Sequence, residues 1–268
     1  MGLVTSTRHG AASVFSYANP PLGTMTAAGA EELYHAVRAA AEDAEVRCIV
    51  LTGGLPGIFV RHYDVGELTV LGERLAQAPT SAPQPSAGRP AGGFLGLTDL
   101  VAAAPKPVIA AINGLCMGGG FELSLACDIR IAGRDVTAIG LPETRVGIFP
   151  GGGGTQRLPR VIGEARALEM ILRGRVVTGP AAFDIGLVHE VADDPLARAL
   201  EIAAEFAGRP PEGLAYAKRL TRAALDRPLS EGLADERRSF SEVVRLASAI
   251  EAMKVSLAGA PLGTREPS

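Results

Sequence analysis

Two glutamates in this chain have the surroundings to move protons. Glu122 follows the run Gly118-Gly119-Gly120 at the start of a helical pattern, and Glu143 follows Pro142 after an intervening strand pattern. Two carboxylates around one water can divide the work of base and acid, provided the fold brings them together. Singly, each has a plainer use: Glu122 as a first-turn carboxylate complementing the helix dipole, Glu143 as a solvated loop residue. The glycines ahead of Glu122 offer free N–H groups without a Cβ, which suits an oxyanion site and suits a tight strand-to-helix turn equally well.

A second glycine cluster, residues 151–154, precedes Thr155-Gln156-Arg157. Neither cluster reads G-x-x-x-x-G-K-[ST] or G-x-G-x-x-G, and the chain has no G-x-S-x-G. A P-loop, a dinucleotide fingerprint and a nucleophile elbow are thereby disfavoured. The four histidines have no ligand-like spacing to one another or to cysteine, so no metal site is expected.

The elements that must position these residues alternate. Residues 13–17 read as a strand, 27–44 as a helix capped by Thr26 with Leu33, Val37, Ala40 and Ala44 on one face, and 46–52 as a buried strand closed by Gly53-Gly54. A second unit follows: strand 107–112, a turn at Gly118-Gly119-Gly120, helix 121–126 and strand 129–132. This order predicts an α/β fold. Residues 77–93, rich in proline and glycine, read as a mobile loop inserted within one domain. Beyond Leu196 the pattern is helical to Ala258, broken near Pro210-Pro211 and Pro228, and Phe240, Val243, Val244 and Ala247 form a stripe to be buried on this chain's core or on another subunit.

With 268 residues, 47% of them hydrophobic and 21% charged, the chain can bury a substantial core. Its 26 Lys and Arg against 29 Asp and Glu give a net charge of −3 without a basic run, which argues against a nucleic-acid partner. Cys48, Cys116 and Cys127 lie in apolar surroundings with no C-x-x-C, as expected of reduced thiols in a cytoplasmic protein. No signal peptide or membrane span is legible, so a soluble chain is expected.

Three segments carry a family resemblance: AAINGLCMGGGFELSLACDIRIA at 110–132, LPETRVGIFPGGGGTQRLPRVIG at 141–163, and a looser match from 46 through 68. In order and spacing they resemble the crotonase (enoyl-CoA hydratase/isomerase) superfamily over residues of about 10 to 225. The resemblance implies a spiral of ββα units forming two nearly perpendicular sheets, here a core over residues 1–195. It also implies a C-terminal helical region, 196–268, that mediates homotrimers, often paired into homohexamers. It further implies acyl-CoA thioester substrates and no metal or redox cofactor, coenzyme A entering only as part of the substrate.

By position, Glu122 and Glu143 resemble the family's two catalytic glutamates, and Tyr63 and Gly119 its two oxyanion-hole donors. Pro21-Leu22 and Arg61, His62, Asp64 and Val65 would lie along the CoA nucleotide. What this implies is hydration of a 2-enoyl-CoA; isomerisation, thioester hydrolysis and a non-catalytic acyl-CoA-binding subunit are the alternatives. One departure stands out in FVRHYDVGEL, where Arg61-His62-Tyr63 replaces the family's usual Ala-Gly-Ala. If the glycine's backbone is kept, His62 must adopt a positive φ. Arg61 could then meet CoA phosphates or adenine, and Tyr63 could narrow the acyl pocket.

Overall fold

The computed structural model describes residues 2–77 and 92–259. A six-stranded sheet runs in the order β1 (Val4–His9), β2 (Ala12–Tyr17), β3 (Cys48–Gly53), β5 (Val108–Ile112), β7 (Ile129–Gly133), β10 (Glu190–Ala192). A four-stranded sheet runs β4 (Ile58–Val60), β6 (Leu115–Met117), β8 (Ile139–Gly140), β9 (Val176–Val177). Pairing is parallel except at β1–β2 and β8–β9. The chain thus places a strand in the first sheet, the next in the second, and then a helix, repeatedly: β3, β4 and helices; β5, β6 and a helix; β7, β8 and helices. This is a spiral of ββα units.

The helices are α1 (Ala27–Glu42), α2 (Val65–Gln77), α3 (Gly93–Ala103), α4 (Gly119–Ala126), α5 (Gly154–Ile162), α6 (Glu164–Leu172), α7 (Gly179–Asp184), α8 (Pro195–Ala207), α9 (Pro211–Ala223), α10 (Leu229–Val243) and α11 (Ala247–Leu257). The Thr26 side chain caps α1 by accepting from Gly29 N, as its type predicts. The helix stops short of the expected Ala44, which is exposed, because the Asp43 carboxylate accepts from Glu45 N and turns the chain. Strand β1, which sequence patterning did not signal, is an edge strand with mostly exposed side chains, so it lacks the alternation that marks a buried face. Most of the expected loop 77–93 lies outside the described residues; Gln77 closes α2 and Gly93 opens α3.

Both faces of the large sheet are covered, and the period of two sorts its side chains between them. Ile49, Leu51, Val108, Ala110 and Ile112 face the main core with Leu33 and Val37 of α1. Cys48, Val50, Ile109 and Ala111 face a second core against Ala199, Ile202 and Ala203 of α8. The three cysteines are buried and unpaired. Burial pushes the thiols of Cys48 and Cys127 up to about 12, which makes them inert packing groups.

The stripe expected at 240–247 is not buried on this chain's core. Phe240 is exposed, Val243 and Val244 are half-buried, and Ala247 is exposed and belongs to α11, because the chain breaks between α10 and α11. Among the described residues no helix is long and apolar enough to cross a membrane.

Candidate active site

Helix α4 begins at Gly119, two residues earlier than predicted, so the glycines are the helix start rather than a turn before it. Gly118 takes φ +50, a backbone that L side chains rarely adopt, and a Cβ on Gly120 would lie 2.0 Å from Val60 O. The helix therefore starts hard against β4, and Glu122 sits in its first turn with only 3% of its surface exposed.

The second glycine cluster holds that carboxylate. Glu122 Oε1 accepts from Gly152 N at 2.7 Å and from Gly154 N, at the start of α5, at 2.9 Å. A helix N-terminus and a preceding loop amide make an anion cradle, and here the anion is a side chain of the same protein. Burial raises the Glu122 carboxyl above its ordinary value, opposed by the Gly154 and Gly152 amides and by the Arg157 charge.

Glu143 opens a single 3-10 turn, Glu143–Val146, directly after Pro142. A Cβ on Gly118 would lie 3.3 Å from Glu143 Oε1, so this carboxylate borders the start of α4 as Glu122 does. Its Oε2 is buried with no hydrogen-bond partner among the described residues. Burial pushes Glu143 up to about 7, and the neighbouring Glu122 charge adds to the rise. The two glutamates that lie far apart in sequence are thus electrostatic neighbours in the fold.

Tyr63 and Gly119 also meet. A Cβ on Gly119 would lie 3.3 Å from Tyr63 N and 3.1 Å from Tyr63 Cβ. The stretch 61–64 is pinned by backbone bonds: Arg61 N donates to Gly23 O, Met25 N to His62 O, Asp64 N to Met25 O, and Met117 N to Arg61 O. His62 fits this frame without strain, because no described non-glycine residue has a positive φ. The strained histidine backbone expected at this position is therefore absent, and its Nδ1 lies 2.7 Å from Tyr63 O.

Of the residues expected along a nucleotide, Pro21, Leu22 and Val65 are exposed, while Arg61, His62 and Asp64 are half-buried. The pinned backbone brings the 21–25 and 61–65 stretches side by side. Asp64 is already engaged: Oδ2 accepts from the Thr24 hydroxyl and Oδ1 from Glu67 N, which caps α2 and lowers its carboxyl. Arg61 Nε is buried with no hydrogen-bond partner among the described residues.

Sequence reasoning missed Phe94 and noticed Gly152, Gly154 and Arg157 without assigning them a role beside Glu122. Phe94, in the first turn of α3, packs edge-on against Tyr63 with ring centroids 5.5 Å apart. A Cβ on Gly152 would lie 2.5 Å from Phe94 Cε1 and 2.7 Å from Glu122 Oε2, so this ring closes over the carboxylate. Tyr63's phenol is pushed up by burial and by the adjacent Glu67 carboxylate. The available signal was the second glycine run itself, whose N–H groups had no assigned acceptor.

A spiral of ββα units with two sheets is the fold of the crotonase type, and comparison with known proteins agrees. The chain belongs to the enoyl-CoA hydratase/isomerase family, matching it over residues 10–255. Rattus norvegicus mitochondrial methylglutaconyl-CoA hydratase is 36% identical over 227 residues, covering 82% of this chain and 68% of that one. Escherichia coli 2,3-dehydroadipyl-CoA hydratase is 36% identical over 213 residues, covering 78% and 77%. The crystal structure of a Bacillus anthracis enoyl-CoA hydratase superposes with a TM-score of 0.84 at 31% identity, covering 96% of each chain.

Proposed function

We propose that this protein is a 2-enoyl-CoA hydratase, a hydro-lyase acting on an acyl-CoA thioester. The observation that carries the reading is the convergence of Glu122 and Glu143, both raised by burial, at the helix start that also presents Gly119 beside Tyr63 N. The thioester oxygen accepts from the Tyr63 and Gly119 amides, which draw electron density from the conjugated double bond. One well-placed donor of this kind is worth about 3–4 kcal/mol in the transition state.

The environments divide the roles. Two amides and the Arg157 charge favour the anionic form of Glu122, whereas Glu143, at about 7, has no such donors on Oε2 and keeps a large protonated fraction at neutral pH. Glu122 as base takes a proton from the shared water, whose oxygen bonds to C3. The thioester enolate forms, and Glu143 as acid delivers a proton to C2. The product is the 3-hydroxyacyl thioester, and transfer of the surplus proton from Glu122 to Glu143 through an incoming water restores base and acid before the next turnover.

The CoA portion lies along Pro21-Leu22 and Arg61-His62-Asp64-Val65, with Arg61 as the cation nearest its phosphates. No further cofactor is required by this chemistry, and no nucleic-acid or membrane partner is proposed. The C-terminal helices assemble the protein as a homotrimer or a homohexamer. Three buried thiols fit a cytoplasmic location. The test is loss of the enoyl-thioester absorbance of crotonyl-CoA, with the product mass determined, for wild type beside Glu122→Gln. A product heavier by one water, lost in the variant, supports hydration; an unchanged mass indicates isomerisation, and free CoA indicates hydrolysis.

A further inference from the structure

We infer that Arg157 is a positioning residue for Glu122, acting through the peptide of Gly152, and that Asp99 anchors it. This deepens the hydratase reading and rests on it for the role of Glu122. Arg157 Nη1 donates to Gly152 O at 2.9 Å, and Nη2 pairs with Asp99 Oδ1 of α3 at 3.4 Å. With the Gly152 carbonyl turned toward the guanidinium, the amides on either side, Gly152 N and Gly154 N, are left facing Glu122 Oε1. The intervening Gly153 takes φ +105, and a Cβ there would lie 2.1 Å from Arg157 Nη1. The side chain therefore packs directly on the loop it orders.

The pair is well placed for such work. Arg157 and Asp99 side chains are 21% and 35% exposed, so a charge pair here is screened less than one on the open surface. A planar fork can hold a carbonyl and a carboxylate at once, which an ammonium on a flexible stem does poorly. The charged groups around Glu122 are Arg157 and Glu143, and those around Arg157 are Asp99, Arg222 and Glu122. Arg222 is itself held by Asp128. Arg157 is thus the cation that acts on the Glu122 carboxylate, as well as the clamp on its cradle.

The test is the titration of the Glu122 carboxyl by carbon NMR, its resonance assigned by its loss in E122Q. It is run on wild type, R157Q and R157K, with crotonyl-CoA kinetics on the same proteins. R157Q is expected to raise the Glu122 pKa, because a cation favouring the anion is gone. It should also lower kcat by about tenfold or more while KM stays within about twofold, since misplacing a reacting group costs turnover rather than binding. R157K should bring the titration back toward wild type without restoring full kcat. An unmoved Glu122 titration in R157Q, or a wild-type kcat, overturns the inference. Should R157Q not fold, R157K decides: a lowered kcat with KM held supports the clamp, and wild-type kcat overturns it. The titration is read without substrate, so a shift in R157Q alongside a wild type that hydrates no enoyl-CoA would retire the hydratase reading and keep the clamp.

Discussion

The start of α4 and the C-terminal helices treat the same two problems, charge and apolar surface, in opposite ways. At α4 a nearly inaccessible carboxylate is held by backbone amides, and the residues around it, Phe121, Leu123 and Leu141, are fully buried. In α9–α11 charge is held by side chains: Asp235 of α10 pairs with Arg219, Arg227 and Arg238, which keep its carboxyl well below the usual carboxylate range. Apolar side chains there face outward, with Leu229 77% and Phe240 65% exposed. An open groove of about 380 Å³ runs between Leu214, Phe240, Val244 and Met253. One region is buried within the single chain, and the other leaves apolar surface exposed.

The largest effect expected from breaking this contrast is at Glu122. On the proposed hydratase reading, Glu122→Gln keeps the shape but removes the base, and kcat for crotonyl-CoA should fall by about 10²–10⁴-fold in a steady-state assay. A loss below this range would mean the buried carboxylate only braces the loop.

Glu143 comes next, because it is only half-buried and its effect depends on pH. As the proposed acid it must be protonated, so kcat should decline as pH rises through about 7, and Glu143→Gln should abolish that limb together with most turnover. Stability changes in the same direction with pH. A carboxyl raised in the folded state favours folding at pH below its unfolded value, and that contribution is lost as pH rises through about 7. Glu143→Gln should therefore be the more stable protein at about pH 8.5, by about 1–2 kcal/mol after allowance for solvent screening, and equal to wild type near pH 4. Thermal melts at the two pH values measure this difference.

A charge in the outward apolar surface probes the other half of the comparison. Phe240→Glu should shift sedimentation toward a lighter species while changing turnover per chain far less than Glu122→Gln does. An unaltered oligomeric state would remove Phe240 from the assembly surface. The smallest effect is expected at Phe94, where Leu shortens the wall over Glu122 and Tyr63. The ratio of kcat/KM for a six-carbon over a four-carbon enoyl-CoA should rise about 10-fold, the scale on which pockets discriminate methylenes.

Much of the fold was written in local patterns. The Thr26 cap, the buried apolar strands within 46–52 and 107–112, and the proline breaks at 210 and 228 each appear where sequence places them, since caps, short apolar runs and ring constraints act within a few residues. Glu122, Glu143, Tyr63 and Gly119 were legible as a set through family resemblance and through their types. The stripe at 240–247 is split between two helices and is not covered by this chain's core, because a helical spacing says nothing about whether the helix continues through Val244 or about what covers the face.

Residue types and spacing fixed the glycine-led helix start, the two carboxylates and the absence of nucleotide-loop spacing. Only the folded chain joined Glu122 to the amides of Gly152 and Gly154, set Phe94 over both, gave His62 an ordinary backbone and turned Arg157 onto the loop. The physical reason is range. Backbone preferences act between near neighbours, whereas burial, amide direction and the field at a carboxylate are set by segments that meet only when the spiral closes.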